Sequence, residues 1–467
     1  MEAKIAARRR SSLQWTGAEG LLNRRRSSEL NMWTNAPGKS VGLIPGRKTF
    51  GPLFLILAAP LFVQFFAAVL LKHHGSMSDF YADRLIASIR GCLANPLNPR
   101  VWKWIGVFSV SQIFLMSILP GRDFKSPVTP AGETVTYCDN GVASFAITMI
   151  SYVIGIYLNW FDPNFLYDHF LQLLSTLNLL ALALCVLLYF KGLLWPSGKD
   201  SGSSGNPIFD FYWGTELYPR IFGINIKHFT NCRFGMVFWP IYILSCALKH
   251  RSLTGGVTFN SMLVNVSLQL IYIAKFFIWE SGYLASIDIM HDRAGFYIVW
   301  GVLVWLPCVY ASHTTYLVEH APELHPIIAG ALFIGGLICI WLNYDADRQR
   351  QSFRAAKGLV KIWGKDPYFL EAKYKTESGE IKSSLLLGSG YWGMSRHFNY
   401  LPELGAALCW TLPVWSPFVL PYFYVPYLAI LLVDRAYRDD ARCASKYGKY
   451  WFTYCKRVPY ILIPQIY

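Results

Sequence analysis

Ten apolar stretches constrain this chain more than anything else in it. They run at about 50–71, 102–119, 141–160, 170–192, 234–248, 259–279, 294–312 and 325–343, with a closing pair near 400–415 and 417–433. A hydrocarbon layer about 30 Å thick takes a helix of about 20 residues, and within it every backbone N–H and C=O must find a partner inside the segment. The pattern therefore predicts an all-α polytopic membrane protein of about ten transmembrane helices. Composition agrees: 54% of residues are hydrophobic and only 15% charged, against about 25% charged in a soluble domain. The last two stretches are interrupted by Pro413, Pro417, Pro421 and Pro426 and read as a helical hairpin.

A net charge of +15 invites a nucleic-acid reading, but the first 48 residues alone hold ten Lys or Arg against three Glu. That charge belongs to a tail. Residues 1–48 show no hydrophobic periodicity and are expected to be a disordered basic arm, with 49–467 as the membrane domain. Nothing in the arm resembles a cleavable signal, so the first span is expected to drive insertion. The arm, the segment Arg348 to Arg396 and the C-terminal tail are the most basic regions, and an even number of spans puts all three on one side, the cytosol. The cytosolic insert 345–399 opens with DADRQRQSFRAAKG and continues as two strand-like runs around Thr-Glu-Ser-Gly-Glu, which predicts a small β-hairpin. The ten cysteines contain no CxxC, and Cys185, Cys246, Cys308, Cys339 and Cys409 lie inside apolar runs, so neither a disulfide framework nor a zinc cage is indicated.

Gly388, Gly390 and Gly393 spell GxGxxG after a strand-like run. A dinucleotide fold needs a βαβ unit and a sheet several strands wide, and the insert has no room for one. A nucleotide must then be held by side chains. Arg348, Arg350, Arg354, Arg396, His397, Arg435, Arg438 and Lys446 supply cations on the cytosolic face, and Tyr391, Trp392, Tyr400, Tyr447 and Tyr454 supply rings for stacking. A juxtamembrane basic belt with interfacial aromatics is the competing reading. In the tail, Arg435, Asp439, Cys443 and Tyr447 recur every four residues and Tyr454 follows at seven, so one continuous helix would place all five on a stripe.

A second cluster closes the sixth span: Lys275, Trp279, Glu280, Tyr283, Asp288, His291, Asp292 and Arg293. A carboxyl partly buried there would have a raised pKa and could donate a proton; the plainer alternative is an ion pair such as Asp292 with Arg293 or Lys275. In a third, GTELYPR at 214–220, Glu216 and Arg220 pair with each other or shape a pocket. The ten histidines are dispersed. Glu319, His320 and His325 come nearest to a metal set but fall on the lumenal side, and no metal is expected.

With these residues laid out, the chain from about residue 50 onward resembles the sterol reductases of the endoplasmic reticulum, the family of Δ7-, Δ14- and Δ24(28)-sterol reductases and the lamin B receptor. GTELYPR, HDRAGFY at 291–297, GYWGMSRHFNY at 390–400, LPYFY at 420–424 and RDDARCASKYGKYW followed by VPYILIP carry the resemblance. DSGSSGNPIFDFYWGTELYPRI, FTNCRFGM and NYDADRQRQSFR look most like the Δ7 branch, which reduces the 7,8 double bond of Δ5,7-sterols. The resemblance implies NADPH as cofactor, in a pocket lined by Arg350, Arg354, Trp392, Arg396, Asn399, Arg435, Asp439, Cys443, Tyr447 and Tyr454, with 434–467 as the cofactor-binding tail. Arg350 stands where many members carry Lys, and the ending PQIY replaces a usual PGIY or PGIF.

An isolated alkene does not accept hydride until a proton has added to it, so the implied chemistry needs an acid near the sterol rings. Glu280, Tyr283 and Asp288 are the candidates. Implied partners are a sterol within the membrane, the bilayer itself and other sterol-biosynthesis enzymes, with no nucleic acid. The implied location is the endoplasmic reticulum membrane, with both termini cytosolic. Three rivals stand beside Δ7 reduction. These are Δ14 reduction, an isoprenylcysteine-type methyltransferase, whose charged tail also ends in YG and VP, and a membrane scaffold like the lamin B receptor.

Overall fold

A computed structural model describes Gly46, 49–82, 94–129, 132–375 and 381–466. The basic arm expected over 1–48 therefore lies almost wholly outside the described residues. Seven helices are long and apolar enough to cross a membrane: α1 (Phe50–Lys72), α2 (Pro99–Ile118), α4 (Phe170–Leu194), α5 (Ile226–Leu253), α6 (Asn260–Ile278), α7 (Phe296–His320) and α8 (Pro326–Ala355). An eighth, α3 (Gly141–Tyr157), is apolar but shorter. The closing pair forms α9 (Tyr400–Thr411) and α10 (Tyr424–Tyr447), separated by 3-10 turns at Leu412–Val414 and Leu420–Tyr422. All ten expected apolar stretches are thus helical. Proline, which has no N–H to donate, occupies the turns between the last pair; α9 is short, at 12 residues, and α10, at 24, turns charged in its second half.

The chain divides into two compact units. The larger comprises Pro45–Ile340 and Leu404–Ala429. In it α5 and α7 are central: 78% and 72% of their most apolar windows are buried, against 22% for α2 and α8. The outer helices show why. On α2, Val107, Val110, Phe114 and Ile118 form an exposed apolar stripe at helical spacing, the pattern of a face turned to lipid. Local chemistry sets the ends: Asn98 caps α2 by accepting from the Arg100 N–H, with Pro99 at the first position.

Both central helices widen in mid-course into π-helix, at Phe229–Gly235 and Gly301–Tyr310, and these two segments pack on each other. Gly235 makes that approach possible, since a Cβ there would collide with Val302. Pro307 lies inside the second π segment, where its missing N–H interrupts an α-helical ladder in any case. A two-stranded hairpin, β1 (Arg122–Lys125) with β2 (Thr136–Asp139), leads into α3.

The smaller unit contains Trp341–Glu403 and Ile430–Tyr467. The eighth span does not stop at 343: α8 runs unbroken to Ala355, so the first basic piece of the insert is its continuation. The expected hairpin is present as β3 (Phe369–Lys375) paired with β4 (Ile381–Leu387), from Phe369 opposite Leu387 to Lys375 opposite Ile381. After it come a single helical turn at Tyr391–Met394, the lower half of α10, and α11 (Lys449–Arg457). No sheet among the described residues exceeds two strands, so the GxGxxG glycines serve a turn and not a dinucleotide fold. Gly390 has φ +63°, and a Cβ on it would strike Gln349.

Candidate active site

In the smaller unit, the side chains singled out in the insert and the tail come together. Arg350 lies on α8 with its guanidinium 3.8 Å from the centre of the Trp392 ring and 3.2 Å from Asp347. The Trp392 indole is fixed from below, its N–H donating to Ala346 O at 2.7 Å. Asp347 also accepts from the Asn399 amide at 3.3 Å. Arg354, one turn beyond Arg350, is exposed. On α10, Asp439 pairs with Arg442 and stands 4.0 Å from His397 and from the Cys443 thiol. Arg435 is half-buried on the same helix. Arg396, itself buried, donates to Val458 O and Pro459 O at 2.9 Å each and pairs with Asp440 at 3.2 Å. It holds the tail in place.

The expected single stripe is corrected in one respect. Gly448, at φ +52°, ends the helix after Tyr447, so Tyr454 lies on α11. Packing still joins them: Cys443, Tyr447, Trp451, Tyr454 and Val458 share one cluster with Ala372 and Leu386 of the hairpin. The Tyr454 hydroxyl donates to Leu387 O at 2.9 Å and reaches Trp392 O at 3.3 Å.

Electrostatics follow from this crowding. Burial would raise the Asp439 carboxyl, but Arg442, His397 and Arg350 hold it well below the usual carboxylate range. Burial pushes the His397 imidazole down to about 4 despite Asp439, so it is neutral at physiological pH. Desolvation of its stem, then the like charges of Arg442 and Arg354, hold the Lys446 ammonium below its ordinary value. Like charges gathered around Lys446 and Arg354 in this way form an environment suited to an anion, and the aromatic floor of Trp392 beneath Arg350 adds a stacking surface. These residues fit a nicotinamide dinucleotide: guanidiniums suit its phosphates and rings its bases.

In the larger unit, the acid-bearing cluster is organised by a residue that sequence reasoning did not assign a role. Arg233, in the π-helical part of α5, grips both oxygens of Glu280, with Nη2 to Oε2 at 3.0 Å and a second, shorter contact from Nη1 to Oε1. His228 approaches Oε1 at 3.1 Å, and Asn140 accepts from Arg233 at 3.0 Å while donating to Met116 O and Leu119 O. All four side chains are buried. A Cβ on Gly141 would collide with the Glu280 carboxylate, so only glycine lets α3 begin this close. Burial favours the protonated acid, but the His228 hydrogen bond and the Arg233 charge outweigh it and bring Glu280 down to about 2. In this arrangement the Glu280 carboxyl shifts downward, opposite to the rise expected from burial alone.

Nearby Asp139, at the end of β2, is half-buried and shifts the other way, raised by burial and by the Glu280 charge. Tyr283 packs on Phe276 at 5.0 Å between ring centres and against the cluster of Tyr137, Leu217, Tyr218, Cys232 and Leu284. Asp288 is half-buried on the short turn Ile287–Met290. Of the basic partners considered from sequence, Arg293 donates to Gly202 O at 2.7 Å. Lys227 is buried and donates to Ile289 O at 2.7 Å and to Asp292 O. Glu216 pairs with Lys191 at 2.6 Å, and not with Arg220, which is exposed.

These geometries stand beside clear similarity to known proteins. The model of the ergosterol biosynthesis ERG4/ERG24 family matches residues 54–467. A 7-dehydrocholesterol reductase of Arabidopsis thaliana is 45% identical over 423 residues, covering 90% of this chain and 98% of the relative. One from Danio rerio is 38% identical over 89% of this chain and 91% of the relative. A Δ14-sterol reductase of Methylotuvimicrobium alcaliphilum is 35% identical over 90% and 95%. With a family match over most of its length and an architecture of membrane-spanning helices, the chain belongs to the ERG4/ERG24 family of sterol reductases, polytopic oxidoreductases of sterol carbon–carbon double bonds.

Proposed function

We propose that the protein reduces the 7,8 double bond of Δ5,7-sterols with NADPH, in the endoplasmic reticulum membrane, with both termini in the cytosol. The observation that carries the choice of bond is the 45% identity, over 98% of its length, to a relative named 7-dehydrocholesterol reductase, against 35% for the Δ14-sterol reductase. For the cofactor, support comes from the Arg350–Trp392 stack and the cations of Arg354, Arg442 and Lys446 around it. Arg350, Arg354 and Arg435 would meet phosphates, and Trp392, Tyr447 and Tyr454 would flank rings. Arg396, Asn399, Asp439 and Cys443 hold these groups in register.

When bound, NADPH supplies a hydride. The chain must first add a proton to the conjugated diene, which leaves an allylic cation on the ring, and must keep water away from that cation. An apolar bundle meets the second requirement. For the first, the candidate donors are Tyr283 and Asp288 after α6, as expected from sequence, and Asp139 at the end of β2, whose raised pKa favours retention of a proton. The Glu280 charge adds to burial in raising the Asp139 carboxyl, while Arg233 pulls it the other way.

The test uses the full chain in detergent or vesicles with NADPH, a Δ5,7-sterol and, separately, a Δ14-sterol. NADPH-dependent loss of the conjugated-diene absorbance, with product confirmed by mass spectrometry, is the expected result. Turnover of the Δ14-sterol alone would overturn the choice of bond. Binding of S-adenosylmethionine in place of NADPH would favour the methyltransferase reading, and absence of NADPH binding in a folded protein the scaffold.

A further inference from the structure

At the far end of α7 from Glu280, three side chains from two distant segments meet: His74 in the turn after α1, and Glu319 and His320 at the end of α7. We propose that they form a binding site for a divalent transition cation, best matched by Zn2+. Their ligand atoms all lie within 4.8 Å of one another, and His74 Nδ1 is already 3.8 Å from Glu319 Oε2. A tetrahedral zinc with bonds of about 2.0–2.2 Å sets its ligands about 3.3 Å apart, so small side-chain rotations close the gap. Two imidazoles and one carboxylate suit zinc and its neighbours, and not calcium or magnesium.

The surroundings prepare each ligand. The His320 Nδ1–H lies 3.2 Å from Tyr316 O, which leaves Nε2 with its lone pair outward, and the ring is stacked on Tyr316 at 4.6 Å. Glu319 Oε1 accepts from the Tyr167 hydroxyl at 3.2 Å, which turns Oε2 toward His74. Outer partners of this kind are what orient metal ligands. His74 itself stands at φ +51°, in the left-handed region that histidine enters more readily than most residues. Beside it Gly75 packs closely on Tyr316, where a Cβ would lie 3.1 Å from the ring. The rings of His74 and His320 stand 4.9 Å apart at 67°. The other His–Cys–Glu grouping, His228 with Cys232 and Glu280, is already filled by the Arg233 guanidinium.

Such an ion clips the turn after α1 to the end of α7 and stiffens that end of the bundle. A direct His74–Glu319 contact with no ion between them is the competing explanation for the same geometry. The two separate in a titration of the full chain in detergent, stripped with a chelator, against Zn2+ in competition with a chromogenic indicator, and with Co2+ as a spectroscopic stand-in. The site predicts one equivalent bound, a rise in thermal midpoint on adding Zn2+, and visible Co2+ bands of a low-coordinate nitrogen–oxygen site. His74→Asn and His320→Gln should each weaken binding by at least about 10-fold, while His325→Gln should not. Glu319→Gln, which keeps the acceptor for Tyr167, should abolish the zinc-dependent rise in midpoint and so tests the site even if a histidine variant does not fold. No zinc binding by the wild-type chain, or binding unchanged when His74 and His320 are both replaced, overturns the proposal.

Discussion

Glu280 shows how much a single partner decides. Burial alone at a membrane boundary would raise its carboxyl; the grip of Arg233 and His228 turns the shift downward. Replacing one member of a buried pair leaves the other charge uncompensated, at a cost of about 3–5 kcal/mol. Glu280→Gln is therefore expected to lower the thermal midpoint sharply along with activity, whereas a role as simple proton donor would leave folding intact and reduce only kcat. His397 offers a test by pH. Its folded-state pKa, about 4, lies below the ordinary 6.5, so the unfolded chain binds the proton more readily. Stability contributed by keeping it neutral is present above about 6.5 and is lost as pH falls toward 4, by about 3 kcal/mol in all. Asp439, Arg350, Arg396 and Arg442 face this ring, and the depressed Asp439 titrates below the window. Unfolding midpoints measured from pH 7 to 4 should fall less steeply in His397→Asn than in the wild type. At the proposed cofactor site, Trp392→Ala removes the surface beneath Arg350, and the loss of about 1 kcal/mol should raise the KM for NADPH about fivefold with a smaller change in kcat.

Among elements, the hairpin and α11 work as one support for the tail. Tyr454 belongs to α11, yet its hydroxyl reaches the last strand residue, Leu387, and the carbonyl of Trp392. Tyr454→Phe leaves both acceptors without that donor, at about 1 kcal/mol. The expected outcome is a KM for NADPH raised severalfold, with sterol KM unchanged, in steady-state assays with each substrate varied. The π-helical segments are the corresponding feature of the larger unit. They bring Gly235 against Val302 and carry Arg233 to Glu280, so their widened turns place a buried cation where regular α-helix would have rotated it away.

For the molecule as a whole, the arrangement in the membrane follows from alternation of spans. A glycosylation acceptor inserted at Gly255–Gly256, in the loop between α5 and α6, should be modified when the protein is made with endoplasmic reticulum membranes. One inserted at Ser203–Ser204 should not. The reverse pattern would invert the proposed orientation. Both positions lie in described loops of one unit.

The sequence by itself determined the spans, the hairpin and the family, because hydrophobic length, turn residues and linear motifs act locally. It also made most of the proposed cofactor residues legible as groups, since Arg350 and Arg354, or Asp439 and Cys443, are neighbours on one helix face. Only tertiary structure decided which charges pair. Arg233 meets Glu280 across 47 positions, His74 meets Glu319 from the opposite part of the chain, and Tyr454 reaches the hairpin across a broken helix. None of these has a periodicity to read. Each depends on how helices pack, and burial in that packing fixes whether a side chain is an acid, an anchor or a ligand.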